Sequence, residues 1–361
     1  MRVGYDLSAL GPFPTGVGRY AACLLEALLA DSAVTAVHGF SPGAPPAVAL
    51  PTSPKLVVHA GREARRLPWL YLTLPIQSAG IPVDVFHFPN YLAPRRLHAP
   101  AVVTVHDLTV FDFPSVHPLR RRLAHHLLLH RSLQGAAVII AVSESTRRAL
   151  ADRWPAFAPK IRIVPEAAAA TMARVTDPSR LSAVREKYAL PGAFILSPGA
   201  TDPRKNLPRL ARAMAAVRRD TGLPHEVVTT CARPKPPKRA DGVLNIGYVP
   251  DTDLPALYSL AALTAYPSLH EGFGLPPLES FACGIPVIAS TAGAIPEVCG
   301  DAALLVDPLD ETALAGALRR VLTEPATAAD LVARGTARAA GFTWSRAASL
   351  TVEAYRAAMG E

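Results

Sequence analysis

The sequence predicts an α/β protein built from two doubly wound, parallel-sheet domains. Short apolar runs of strand length alternate with longer helical patterns along the whole chain. The pattern restarts near residue 190, so the architecture is used twice. Glycine-containing turns and charged residues gather where strands are expected to end, which is where ligands bind in such sheets. With 361 residues there is room for two full cores, and a chain that is 50% hydrophobic and 18% charged is not disordered.

In the first half, strands are expected at Arg2–Tyr5, Thr35–Phe40, Lys55–His59, Val83–His87, Ala101–Val105, Ala137–Val142 and Ile161–Val164. Each is a short run rich in Val, Ile, Tyr or Phe bounded by polar or turn residues. Helices are expected over Gly18–Ala30, Pro118–Gln134 and Glu144–Arg153, and the proline-rich stretch 41–54 reads as a loop. The second half repeats the scheme, with strands at Phe194–Ser197, Glu226–Thr230, Leu244–Tyr248, Leu263–Tyr266, Pro286–Ala289 and Ala303–Val306. Its helices start near Asn206, Asp253, Pro276, Asp310 and Ala326. Residues 165–190 read as the connection between halves, and Pro234–Arg239 as an exposed loop. The expected domains are therefore 1–172 and 173–342. A last helix at Ser345–Ala358, within 343–361, crosses back onto the first domain. Two such domains facing each other would place the active site in the cleft between them.

Composition narrows the function classes. No apolar run reaches the ~18 residues needed to span a bilayer. The opening MRVGYDLSAL enters a strand at once, leaving no room for a signal peptide, so a cytoplasmic location is expected. The four cysteines at 23, 231, 283 and 299 form no C-x-x-C pair, which fits a reducing compartment without a zinc site or disulfide frame. Net charge is +8, and residues 1–172 hold 17 Lys/Arg against 10 Asp/Glu. Nucleic acid is not expected, since no nucleic-acid-binding motif is present and aromatics are few. An anionic acceptor or an anionic membrane surface at the inner face fits the basic half better, the alternative being charge that only aids solubility.

The most informative stretch is HEGFGLPPLESFACGIPVIAS at 270–290. Glu271 opens a loop containing Gly272 and Gly274, a helix starts at Pro276-Pro277, and Glu279 follows on it. Glycines before a helix start let backbone N–H groups close on an anion such as a diphosphate. Two carboxylates flanking the same loop suit neutral hydroxyls, as on a sugar and a ribose. The combination points to a nucleotide sugar rather than bare phosphate.

Other strand ends add to it. In SPGATDPRKNLPRL (197–210), Asn206 is read as an N-cap, which fixes Arg204 and Lys205 at a strand-to-helix turn. That pair suits a diphosphate leaving group. In GPFPTGVGRY (11–20), Gly16 and Gly18 resemble a phosphate-cradling turn, but the spacing is not the dinucleotide fingerprint. His106 and Asp107 end a strand, and HFPN (87–90) ends another, so both are expected to line one wall of the cleft. The helix PLRRRLAHHLLLHRSLQ (118–134) is basic with one apolar stripe, which suits an anionic lipid surface or an ordinary packed helix. Its His126 and His130 have metal-ligand spacing but no third ligand, so no metal is expected.

Taken together, these residues resemble retaining glycosyltransferases of the GT-B fold, specifically glycosyltransferase family 4. The resemblance spans essentially the whole chain and rests most on Glu271, Gly272-Phe273-Gly274, Glu279 and the downstream ACGIPVIAS. RKN at 204–206, GAIPEVCGDAALLVDP at 293–308, GVGRY and HDL at 106–108 support it. It implies that Glu279 binds the donor ribose. Glu271 with the backbone of Phe273 to Leu275 would hold the transferred sugar and diphosphate, and Arg204 and Lys205 would neutralise the leaving group. His106 would lie beside the sugar, and the Gly16–Gly18 loop would face diphosphate and acceptor. No obligatory metal or other cofactor is implied. HFPNY and HDLTVFDFP look like bacterial mannosyl- and rhamnosyltransferases of surface polysaccharides, which favours a GDP-hexose such as GDP-mannose as donor, with UDP-sugars left open. The hydroxyl acceptor is a lipid-linked glycan, a polysaccharide end or a small natural product, and the basic first half favours an anionic or lipid-linked one. One departure leaves the base contacts open: Thr230-Cys231-Ala232 stands where family members often carry glycine. A non-catalytic nucleotide-sugar-binding protein or scaffold on the same fold is the alternative reading, with a phosphorylase or epimerase behind it.

Overall fold

The computed structural model describes all residues except 12, 14, 44–49, 64, 117, 118, 200, 201 and 232, and the side chains of 120 and 121. Residues 44–49 of the expected 41–54 loop, the Pro118 helix start and Ala232 therefore lie outside the described residues. The chain divides into two compact units, Met1–Glu166 with Thr343–Glu361, and Ala167–Phe342.

The first unit holds a parallel seven-stranded sheet. Its strands are β1 Arg2–Asp6, β2 Ala36–Ser41, β3 Leu56–Ala60, β4 Val85–Phe88, β5 Ala101–Val105, β6 Val138–Ala141 and β7 Ile161–Ile163. Their order is β3-β2-β1-β4-β5-β6-β7, the doubly wound order, with a reversal between β1 and β4. Strands β4, β5 and β6 are buried at every residue, as strands covered on both faces must be, whereas β3 at the edge is partly exposed. The covering helices include α1 Gly16–Ala30, α2 Leu119–Gly135 and α3 Glu144–Arg153, the last capped by the Ser143 hydroxyl accepting from Thr146 N–H. A helical segment at 66–78 with a π-turn over Trp69–Thr73 also covers the sheet. The prolines at 68 and 75 hid it from sequence reasoning.

The C-terminal helix Trp344–Met359 belongs to this unit. Its Tyr355 hydroxyl meets His87 Nδ1 at 2.7 Å inside the core, and Trp344 packs edge-on against Tyr20 of α1.

The second unit is also doubly wound. Its strands are β8 Phe194–Ser197, β9 Glu226–Thr229, β10 Lys238–Ala240, β11 Val243–Asn245, β12 Thr264–Tyr266, β13 Val287–Ser290 and β14 Leu304–Val306. They run β10-β11-β9-β8-β12-β13-β14, with β10 antiparallel at the edge. The reversal lies between β8 and β12. Residues 167–172 belong here rather than to the first unit, because Met172 is buried in the core with Phe194, Val228 and Tyr258.

Three further expectations need correction. The supposed connection 165–190 contains a helix, Pro178–Lys187, capped by the Asp177 carboxylate, with Val184 buried. The supposed loop 234–239 supplies part of β10, and a strand whose every residue is exposed carries no apolar signal. Asn206 makes no capping hydrogen bond through its side chain. It adopts a left-handed conformation (φ 58°), and its amide reaches elsewhere.

Candidate active site

In a doubly wound sheet, the loops leaving the strands on either side of the order reversal diverge and open a crevice. In the second unit these are the loops after β8 and β12, and they carry most of the residues singled out from the sequence.

After β8, Asp202 organises a single turn. One of its carboxylate oxygens accepts from Arg204 N–H (2.9 Å), and the other accepts from the Arg204 guanidinium at 3.0 and 2.7 Å. Burial opposes the charge on Asp202, but the Arg204 hydrogen bonds overcome it and hold its pKa below the usual carboxylate value. The left-handed Asn206 then donates to the carbonyls of Pro267 (3.2 Å) and Pro308 (2.7 Å), fastening this turn to two other loops. Leu269 N–H donates to Arg204 C=O at 2.7 Å, so the loops after β8 and β12 are joined at the residues that carry charge.

The centre of this arrangement is Lys205. Its ammonium donates to Glu271 Oε1 at 2.7 Å and to the Tyr266 hydroxyl at 2.5 Å. The two charged side chains keep 14% and 13% of their surface exposed, so the pair is shielded yet reachable by a ligand. Tyr266 is buried, and its pKa is driven far above the ordinary phenol value by that burial and by Glu271, so it remains a neutral hydroxyl.

Glycines shape the loop after β12. Gly293 (φ +61°) lies on the Glu271 peptide so closely that a Cβ there would sit 2.3 Å from the Glu271 carbonyl oxygen. The neighbouring Ala294 N–H donates to that same carbonyl at 2.9 Å. Gly274 (φ +128°) precedes the helix Leu275–Ala282, whose second and third residues, Pro276 and Pro277, have no N–H. The positive end of this helix's dipole therefore opens at Gly274 and Leu275. Gly272 stands between Glu271 and this end. Behind the loop, Arg338 donates to the carbonyls of Val298 (2.9 Å) and Glu297 (2.6 Å), capping the short helix Ile295–Cys299 that carries Ile295 against Gly274.

Glu279 is held separately on the helix after the loop. It is buried, and its Oε2 accepts from the Tyr258 hydroxyl at 2.6 Å, which fixes how the carboxylate is turned. Cys283, one turn further on, is inert, because burial and then Glu279 push its thiol up to about 12.

The first unit presents a different picture. Gly16 and Gly18 form the first turn of α1, where Thr15 makes no side-chain cap and no acidic residue stands. That leaves the positive end of the helix dipole for an anion. His106 follows β5, and both its ring nitrogens face acceptors: Nδ1 meets Glu166 Oε1 at 2.8 Å, and Nε2 meets the Pro89 carbonyl at 2.9 Å. Two acceptors require two ring N–H groups, hence an imidazolium. Burial alone would lower its pKa, but the Glu166 hydrogen bond and charge, Pro89 C=O and Asp107 together raise it. His87 is not part of a wall. It lies inside β4, fully buried, with Nδ1 on Tyr355 and Nε2 on Thr104 Oγ1 (2.8 Å), and burial lowers its pKa to about 3. His126 and His130 pack on Phe111 and on Trp154 and Phe157, and among the described residues no group of three metal-ligating side chains occurs.

Sequence reasoning did not name Asp202, Tyr258, Tyr266 or Glu166. Tyr266 left a usable signal, as a hydroxyl closing an apolar strand directly before an acidic, glycine-rich loop. Tyr258 and Glu166 left none, because their partners are 21 and 60 residues away in sequence.

Comparison with known proteins follows the same division. Residues 14–168 match the family described as Glycosyltransferase Family 4, and residues 193–324 match Glycosyl transferases group 1. The O-antigen chain mannosyltransferase B of Escherichia coli is 33% identical over 283 residues, covering 75% of this chain and 74% of that protein. Among solved structures, sucrose-phosphate synthase from Thermosynechococcus elongatus superposes with a TM-score of 0.72 at 23% identity, covering 99% of this chain and 98% of the other. Anabaena HepE in complex with UDP-glucose gives 0.71 at 16% identity, covering 98% of each. The fold is GT-B, with two Rossmann-like units, and the chain belongs to glycosyltransferase family 4.

Proposed function

We propose that this glycosyltransferase moves a hexose from a nucleotide sugar to a hydroxyl acceptor with retention of anomeric configuration. The observation that carries the reading is the Lys205–Glu271–Tyr266 cluster, joined to Arg204 and set beside the glycine turn at 272–274. Breaking the bond between the anomeric carbon and the diphosphate oxygen sends the electron pair to the diphosphate. Arg204, Lys205 and the N–H groups of Phe273 to Leu275 receive that growing negative charge. Glu271, already fixed by Lys205, holds hydroxyls of the transferred sugar, and Glu279, turned by Tyr258, holds the ribose. The acceptor attacks from the face the diphosphate leaves, and a donor phosphate oxygen takes its proton. Two cationic side chains serve the leaving group in this scheme, so turnover is expected to persist in EDTA.

A GDP-hexose such as GDP-mannose is the donor we favour, supported by the similarity to a mannosyltransferase of O-antigen chains. The Gly16–Gly18 turn and His106 are assigned to the diphosphate, sugar and acceptor side. The acceptor is a glycan end or lipid-linked glycan, which places the enzyme in the cytoplasm at the inner face of the membrane.

Thermal unfolding with GDP, UDP, ADP and dTDP tests the donor. Ligand at ~100 times its dissociation constant adds about 2.7 kcal/mol. A shift with GDP that Glu279→Ala removes is the expected result. A shift with UDP alone replaces the donor, and none with any nucleotide, together with no donor hydrolysis, leaves a non-catalytic scaffold. Glu271→Gln separates two mechanisms: weak residual turnover fits the hydroxyl-holding role, whereas complete loss with unchanged donor affinity makes Glu271 the nucleophile.

A further inference from the structure

We infer that Tyr266 is a positioning residue for Lys205, its hydroxyl fixing the direction in which the ammonium offers its third N–H to the donor diphosphate. The inference rests on the proposed place of Lys205 at the leaving group, and it gives a neutral side chain a part in handling that charge. An ammonium on a four-carbon stem is a flexible point charge with three N–H donors. One goes to Glu271 Oε1 at 2.7 Å and a second to the Tyr266 hydroxyl at 2.5 Å. Among the described residues no acceptor takes the third. A single hydrogen bond to Glu271 would let the ammonium turn about that bond. The second contact removes this rotation, so the third N–H is aimed.

The tyrosine suits this task because it is fixed. It closes β12, whose Thr264, Ala265 and Tyr266 pair in register with Val287, Ile288 and Ala289 of β13, and β12 pairs with β8 on its other side. Its side chain belongs to a residue only 2% exposed. Lys205 stands across the switch point, in the turn after β8, and its ammonium also lies 4.5 Å from the centroid of the Tyr266 ring, a cation–π distance. A held ring on one strand thus steers a flexible cation beside the neighbouring strand.

The chemistry of the steering atom matters as well. Glu271 already balances the ammonium charge. A second carboxylate would draw the cation away from an incoming phosphate, whereas a neutral oxygen directs it without adding negative charge. Burial and the nearby Glu271 keep the Tyr266 phenol protonated. A phenol so firmly protonated is a poor acid for the transfer itself, so its effect runs through Lys205.

Hydrolysis of GDP-mannose, or of UDP-glucose where UDP rather than GDP shifts the melting temperature, is followed with full-length enzyme in excess over donor. Tyr266→Phe keeps the ring and removes only the hydroxyl. The maximal rate should fall about tenfold, the scale of one hydrogen bond to a charged group, with half-saturation and melting temperature nearly unchanged. In Lys205→Ala, which lacks the group being aimed, the same substitution should cost less than about twofold. In Glu271→Gln, which keeps that group, the roughly tenfold loss should remain. An unchanged rate in Tyr266→Phe overturns the inference. So does an equal loss in the Lys205→Ala background, which means that the hydroxyl touches the donor or supports the site without the lysine. A loss that vanishes in Glu271→Gln also overturns it, reassigning the hydroxyl to Glu271. Failure of the proposed function shows separately, in the wild type: no nucleotide shifts its melting and neither sugar nucleotide is hydrolysed, and the inference falls with it.

Discussion

The two units share the doubly wound scheme, each reversing order beside its first strand, yet use their switch points differently. In the second unit, the loops leaving β8 and β12 bring Arg204, Lys205 and Glu271 together with about an eighth of their surface still open. In the first, the titratable side chains around the end of β5 are turned inward: His106 bonds Glu166 and Pro89, and His87 bonds Tyr355 and Thr104. Strand order alone thus does not say where the chemistry is. What differs is whether the charged groups are held by each other at the rim or are satisfied within the core. The second unit keeps its paired cations at the rim, and the first has a preformed interior with neither a side-chain cap nor an acidic residue at the start of α1.

The sharpest way to break that contrast is to remove the cation at the centre of the second unit. Lys205→Ala leaves Glu271 without its ammonium partner and, in the proposed scheme, the diphosphate without a point charge. Turnover should fall by about 10²–10³ or more, the scale of losing one preorganised transition-state donor. Steady-state kinetics check it, and a fall below tenfold would move the leaving-group role elsewhere. Close behind comes Gly293→Ala. Its Cβ would meet backbone, not a flexible side chain, so the Glu271 peptide has to move. A displacement near 1 Å costs about a hundredfold in a positioned site. Melting temperature should drop only modestly, because the residue lies in a loop between β13 and the helix Ile295–Cys299.

A smaller effect is expected from Tyr258→Phe. The ring stays and the core remains filled, but Glu279 loses the hydroxyl that turns it. Donor KM should rise about tenfold, the worth of one hydrogen bond to a charged group, with kcat nearly unchanged. An equal fall in kcat would mean that Glu279 acts in the transition state rather than on the ribose.

The same contrast explains what was legible in the sequence. Local signals carried most of the fold: Ala101–Val105, Glu144–Arg153 and Phe194–Ser197 appear where their patterns place them. So did the glycine-flanked Glu271, since a loop's chemistry is written in consecutive residues. Elements whose signal is not apolar periodicity stayed hidden, such as the wholly exposed β10 and the proline-interrupted 66–78 segment. Partners distant in the chain were hidden for another reason. Nothing in HDL at 106–108 announces that Glu166 will meet its imidazole, and nothing in RKN says that Asn206 will fold left-handed to reach Pro267 and Pro308. Those contacts exist only after the strand order brings separate loops side by side.

The smallest expected effect tests the first unit. The folded pKa of His106 is raised above its unfolded value of 6.5, so the stability it contributes is fully present below about pH 6.5 and is lost as pH rises through the folded value. Glu166→Gln removes the carboxylate charge responsible for much of the rise and keeps an acceptor in its place. The melting-temperature gap between wild type and Glu166→Gln should therefore be widest in mildly acidic buffer and shrink toward alkaline pH. His87 works in the opposite direction. With its pKa held near 3 by burial, it costs stability in both proteins as pH falls below 6.5, so it cancels in the difference. A gap that is flat with pH would mean that the His106–Glu166 contact is a neutral hydrogen bond, and that the first unit carries no buried ion pair at the end of β5.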